Sequence, residues 1–169
     1  MRTYGADSDQ SDRASVEVGI AEYAVTDDGE ELSTFGLGSC VAVVLYDDDA
    51  GVAGLAHVML PTAGGSDGES PGKFADTAVA AMVREMEERG ADADDMEAKL
   101  AGGSEMFEFT GIAQGVGQRN VEAAREALQA KGIPIEAEDV GGEHGRSVRL
   151  NGEIGAVELK TADNEREEL

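Results

Sequence analysis

The stretch Gly36-Leu37-Gly38-Ser39-Cys40-Val41-Ala42-Val43-Val44-Leu45-Tyr46-Asp47-Asp48-Asp49-Ala50-Gly51-Val52-Ala53-Gly54-Leu55-Ala56-His57-Val58-Met59-Leu60-Pro61 decides the fold. Residues 41–46 are a short, Val-rich, unbroken apolar run. Such a run reads as a strand covered on both faces, although a short buried helix starting at Cys40 has the same pattern and stays open. Asp47 to Gly51 is a turn. Val52 to Leu60 is a second strand, stopped by Pro61, which has no ladder donor to offer. The segment therefore folds back on itself. Counted from a turn near residue 49, Cys40 and His57 fall nearly opposite each other.

Outward from this hairpin, residues 1–14 are polar and acidic without periodicity and read as a disordered lead-in. Ser15 to Val25 alternates and reads as one strand; Asp27-Asp28-Gly29 is a turn, and Glu31 to Thr34 is a short strand entering the glycine loop. Thr62 to Gly72 is a loop. Lys73 to Arg89 is a helix with Phe74, Ala78, Ala81, Met82 and Met86 on one stripe and Gly90 as its stop. Met96 to Leu100 is a strand ending in Gly102-Gly103. Gln118 to Lys131 is a second helix, with Val121, Ala124 and Leu128 inward. Ile135 to Leu159 reads as strands, with a hairpin at Asn151-Gly152. The acidic end, residues 161–169, is expected to fray. Two helices amid about seven strands, without regular alternation, give an α+β class: one domain over 15–160, a mixed β-sheet or sandwich with two main helices packed outside.

Composition narrows the function classes. With 41% apolar residues in 169, a single ordinary core can form, but aromatics at 4% leave it to Val, Leu, Ile, Ala and Met. Asp and Glu number 36 against 13 Lys and Arg, a formal charge of −23. That field repels phosphate backbones and anionic lipid, so nucleic-acid and membrane-surface roles are disfavoured. It also points to a chain adapted to high cytoplasmic salt, where the Debye length falls to ~3 Å at 1 M. No apolar stretch is long enough to span a bilayer and no export signal opens the chain, so the expected address is the cytoplasm.

Cys40 is the one cysteine of the chain, which excludes an internal disulfide. A free cysteine is ordinarily a small buried hydrophobe. Here the glycine-flanked loop points instead to a nucleophile, since missing Cβ atoms let a substrate and backbone N–H groups approach. Cysteine hydrolysis needs an imidazole and a group that orients it. Of two histidines, His57 lies in an apolar strand, where its ring must be satisfied; His144 lies in the charged glycine loop Gly141-Gly142-Glu143-His144-Gly145-Arg146 and reads as solvated. Thr34, upstream of the loop, is the candidate orienting group. The N–H groups of Gly38, Ser39 and Cys40 are candidate oxyanion donors. Met106 and Phe107 are either core or a weak substrate lip. Asp47, Asp48 and Asp49 lack calcium-loop spacing and read as a turn, so no metal is expected.

The motifs from Gly36 to Val43 and from Gly54 to Pro61, then Gly102-Gly103-Ser104-Glu105-Met106-Phe107, Gly117-Gln118-Arg119-Asn120 and Gly141 to Arg146, occur in this order over nearly the whole folded part. Together they resemble the CheD family, chemoreceptor glutamine deamidases of bacterial and archaeal chemotaxis. The resemblance implies a catalytic triad of Cys40 as nucleophile, His57 as base and acid, and Thr34 as third member. It implies an α/β sandwich similar to toxin-type glutamine deamidases. It also implies methyl-accepting chemotaxis receptors as protein substrate, a CheC-type phosphatase as a partner, and no cofactor. A non-catalytic regulator of that phosphatase and a receptor methylesterase are the alternative functions.

Overall fold

The computed structural model describes residues 14–64, 69–105, 115–161 and 165–169. The chain runs β1 (Ser15–Glu17), β2 (Tyr23–Thr26), β3 (Glu31–Leu37), β4 (Val41–Asp47), β5 (Val52–Val58), α1 (Ala75–Glu88), β6 (Met96–Gly102), α2 (Val116–Ala130), β7 (Ile135–Val140), β8 (Arg146–Asn151), β9 (Val157–Thr161) and β10 (Arg166–Glu168). Two five-stranded sheets form, in the orders β1-β3-β8-β9-β10 and β2-β5-β4-β6-β7. The class is α+β, as the pattern implied.

The layers follow from β4 and β5, which are buried at every position. Val41, Val43 and Leu45 join the core beneath the helices, with Met82, Met86, Val121 and Leu128. Ala42, Val44 and Tyr46 join a second core with Leu32, Val148, Leu150 and Leu159 of the other sheet. A strand covered on both faces needs no polar alternation, hence the continuous apolar run. The order is therefore sheet, sheet, helices, with the first sheet's outer face open to solvent. Cys40 directly precedes a strand, which closes the helical alternative.

Four details differ from the sequence expectation. Ser15 to Val25 is two strands, broken by a turn in which Ala21 holds φ 70°. This left-handed conformation is uncommon outside glycine. The hairpin pairs Asp47 with Val52 and Ala42 with His57, so Cys40 lies diagonal to His57, two residues out of direct opposition. β6 and β7 are parallel, joined through α2 as a single crossover. Residues 166–168 do not fray but pair antiparallel with β9. A short, fully exposed edge strand needs no apolar face and is kept safe by its charges, so it looks like a tail.

Candidate active site

β3 and β5 belong to different sheets, and their inner faces meet at one hydrogen bond. The Thr34 hydroxyl lies 2.6 Å from His57 Nδ1 and 2.6 Å from the carbonyl oxygen of Val18. Both side chains are completely buried. A carbonyl can only accept, so the single hydroxyl proton goes to Val18. Nδ1 must then donate to Thr34, which leaves the lone pair of the neutral ring on Nε2. Nε2 is buried and bonds to no atom among the described residues. The turn that breaks the first predicted strand fixes the same histidine by its main chain: Ala21 N–H donates to the His57 carbonyl, and His57 N–H to that of Glu22, each at 2.9 Å. One turn thus sets both the tautomer and the position of the ring.

Alternation along β4 and β5 puts Cys40, Ala42 and His57 on the face toward the other sheet, and diagonal neighbours of this kind lie about 7–8 Å apart between Cα atoms. Cys40 is half-buried and packs against the inter-sheet core. Its carbonyl accepts from Gly103 N–H at 2.8 Å, and the Gly38 carbonyl accepts from Ser104 N–H at 2.8 Å. Gly102 holds φ 110°, and a Cβ there would strike the Cys40 carbonyl oxygen. This is why a glycine stands at that place. The carbonyls of the loop are thereby tied down. Its N–H groups at Gly38, Ser39 and Cys40 donate to no backbone carbonyl among the described residues.

Asn120, completely buried on α2, joins the two halves of the site. Its Nδ2 donates to the Ser39 carbonyl at 2.8 Å and to the Met59 carbonyl at 2.9 Å, the one next to Cys40 in the loop before β4 and the other two residues beyond His57, just past the end of β5. Sequence reasoning missed it, although an Asn one helical turn before Ala124 on the inward stripe is the available signal. Val18, whose carbonyl completes the chain, could not be found from its side chain. His144 is exposed and bonds to neither Thr34 nor Cys40. Met106 and Phe107 lie outside the described residues. Asp47, of the acidic turn, is buried and accepts from the N–H groups of Ala50 and Asp92.

Burial sets the electrostatics. It lowers the His57 pKa and raises that of the Cys40 thiol, since each loses the water that stabilises its charged form. Burial is the cause of both shifts, and it favours the uncharged forms, thiol and imidazole, over thiolate and imidazolium. Two pH effects follow. The acid limb of kcat/KM is expected below 6.5, the ordinary imidazole value, because His57 must be uncharged to accept a proton. Iodoacetamide labelling of Cys40 should still be rising near pH 9.0; a labelling plateau from pH 6 upward would contradict the neutral pair. By linkage, the lowered imidazole removes folded stability as pH falls below 6.5, and the raised thiol removes it as pH rises above 9.0.

Such a pair can deprotonate the thiol at the moment of attack and return the proton to a leaving group. Residues 59–161 match the model of the family described as CheD chemotactic sensory transduction. The chain is 45% identical over 157 residues to a probable chemoreceptor glutamine deamidase CheD of Haloarcula marismortui, covering 93% of this chain and 91% of that one. It is 49% identical over 140 residues to the chemoreceptor glutamine deamidase CheD of Thermotoga maritima, covering 83% and 87%. A span of 93% necessarily contains Thr34, Cys40 and His57. Among solved structures, Neisseria meningitidis protein NMB0706 is similar in fold, with a TM-score of 0.51 at 14% identity over 82% of this chain and 66% of that one. The chain belongs to the CheD family.

Proposed function

We propose that this protein deamidates glutamine side chains of methyl-accepting chemotaxis receptors through a thioester on Cys40. The bond from His57 Nδ1 to Thr34 carries this reading, because it leaves Nε2 as the free base on the face that Cys40 shares. Cys40 Sγ attacks the carboxamide carbon while its proton passes to Nε2. The carbonyl π electrons move to oxygen, and in this reading the N–H groups of Gly38, Ser39 and Cys40, which donate to no backbone carbonyl among the described residues, hold that charge. Imidazolium then protonates the nitrogen, ammonia leaves and the thioester forms. A water gives its proton to Nε2 and attacks the thioester; the thiol is restored and glutamate released. Every proton passes through His57, and water is the co-reactant that the cycle consumes.

The names of the relatives support the receptor as substrate. The resemblance supports a second role, binding a CheC-type phosphatase, and the cytoplasm as the place of action. No described helix is long and apolar enough to cross a membrane. The test is mass spectrometry of a receptor cytoplasmic fragment incubated with the protein in molar KCl. Exchange of –NH2 for –OH adds about 1 Da at each modified glutamine. That gain is the expected result. Loss of methylene mass from methylated glutamates instead would assign a methylesterase. No change in mass with the phosphatase bound would assign a regulator.

A further inference from the structure

The outer face of the first sheet carries an unusual set of charges. A groove there is lined by Phe35, Arg146, Arg149, Lys160 and Arg166, with Glu158 as its one acid. Four of the chain's 13 basic residues are thus gathered in one place on a molecule with 36 acids. Arg146 is buried and spent on structure, bonding to Asp139 and to the Gly141 carbonyl. The other three are exposed and form no ion pair among the described residues.

The strand register makes this more than a coincidence of composition. Lys160 stands directly opposite Arg166 on one side and Ser147 on the other. Like charges in direct cross-strand opposition are destabilising, and among the described residues neither member of this pair forms an ion pair. Arg149 at least has Glu158 across from it. At the near end of the groove Phe35 is 45% exposed, beside Thr34 and on the strand that leads into the Cys40 loop. An exposed aromatic next to unpaired cations is a recognition surface for a chain that carries both apolar and carboxylate groups.

We propose that Lys160 and Arg166, with Phe35 at the end nearer the catalytic loop, dock a carboxylate-bearing segment of the receptor that flanks the target glutamine. The assignment rests on the deamidase reading and names how its substrate is held. Because molar salt screens at distance, the pairing acts by direct contact, as charge-assisted hydrogen bonds.

The test uses the full chain carrying Cys40→Ala, so that binding is read without turnover, and a fluorescent receptor cytoplasmic fragment as probe. Adding K160E and R166E is expected to weaken binding by about tenfold or more, and K160R/R166K to leave it unchanged. In the chain with Cys40 intact, K160E/R166E should raise KM by a similar factor and leave kcat unaltered. Unchanged affinity and KM would overturn the docking site and leave the deamidase reading standing. Binding weakened by the reversal, but with no mass gain from the chain with Cys40 intact, would uphold the docking site and overturn the chemistry. Absence of any binding would overturn both.

Discussion

Cys40→Ala is expected to abolish deamidation, by at least about 10⁴-fold in kcat, with the fold and receptor binding retained. The side chain is half-buried and, among the described residues, makes no hydrogen bond to another side chain, so removing its sulfur leaves little unsatisfied. His57→Ala should lower kcat by about 10²–10⁴-fold, the range for loss of a general base. The double variant should be no worse than Cys40→Ala alone, because the two act as one unit. Thr34 separates positioning from proton transfer. Thr34→Ser keeps the hydroxyl, its donation to Val18 and its acceptance from Nδ1, so most activity should survive. Thr34→Val removes both bonds, frees the ring to take the wrong tautomer, and leaves a buried carbonyl and Nδ1 unpaired. It should lose about 10²-fold in kcat and about 1–3 kcal/mol of stability. Steady-state ammonia release and thermal unfolding read these effects separately. Full activity in Thr34→Val would remove Thr34 from the mechanism.

Much of this site was legible because the hairpin around Asp47–Gly51 is local. An apolar run, a turn and a second run bring Cys40 and His57 to neighbouring strands without knowledge of the rest of the chain. The one-residue error in their register arose from the turn's centre, which sequence places near 49 and the pairing of Asp47 with Val52 places half a residue later. Thr34 was legible as a candidate only. Its bond to His57 spans the two sheets, and which strands face each other across a sandwich is fixed by the whole topology. Val18 was out of reach, since it acts through a carbonyl that every residue possesses. The single strand read from Ser15 to Val25 failed for a functional reason: the turn at Ala21 that interrupts it is the one that holds the His57 main chain. Regular alternation at 15–18 and 23–26 concealed a break required by the site. Asn120 was hidden by position, a polar residue on a helix face expected to be apolar, and it bridges the loop that carries the proposed nucleophile and the end of the strand that carries the proposed base.

Unfolding of this protein should depend strongly on salt, with a midpoint that climbs steadily from low salt to 2–3 M KCl. The formal charge of −23 is set against ion pairs that, among the described residues, are few and mostly exposed, such as Arg89 with Asp27 and Lys73 with Glu69. Exposed pairs of this kind contribute about 0–1 kcal/mol each, too little to offset such an imbalance. The strain is visible in particular places. Glu158 opposes Glu168 directly across β9 and β10, beside the equally opposed Lys160 and Arg166. Asp95 has its carboxyl pKa pushed up, by local desolvation first and then by the charges of Asp49, Asp92, Asp47 and Asp94. Screening acts on all of these at once, since at 1 M the Debye length of ~3 Å is shorter than their separations. Relief of about 3 kcal/mol would raise Tm by about 6–12 °C in a chain of this size. Sucrose distinguishes screening from solvent exclusion, because it strengthens burial without shielding charge. The midpoint should rise far more in KCl than in sucrose of equal osmolality. β10 should gain hydrogen-exchange protection over the same salt range, as its edge is where like charges face each other. A midpoint that falls with KCl, or rises equally in sucrose, would mean that the acidic surface is not what limits the stability of this fold.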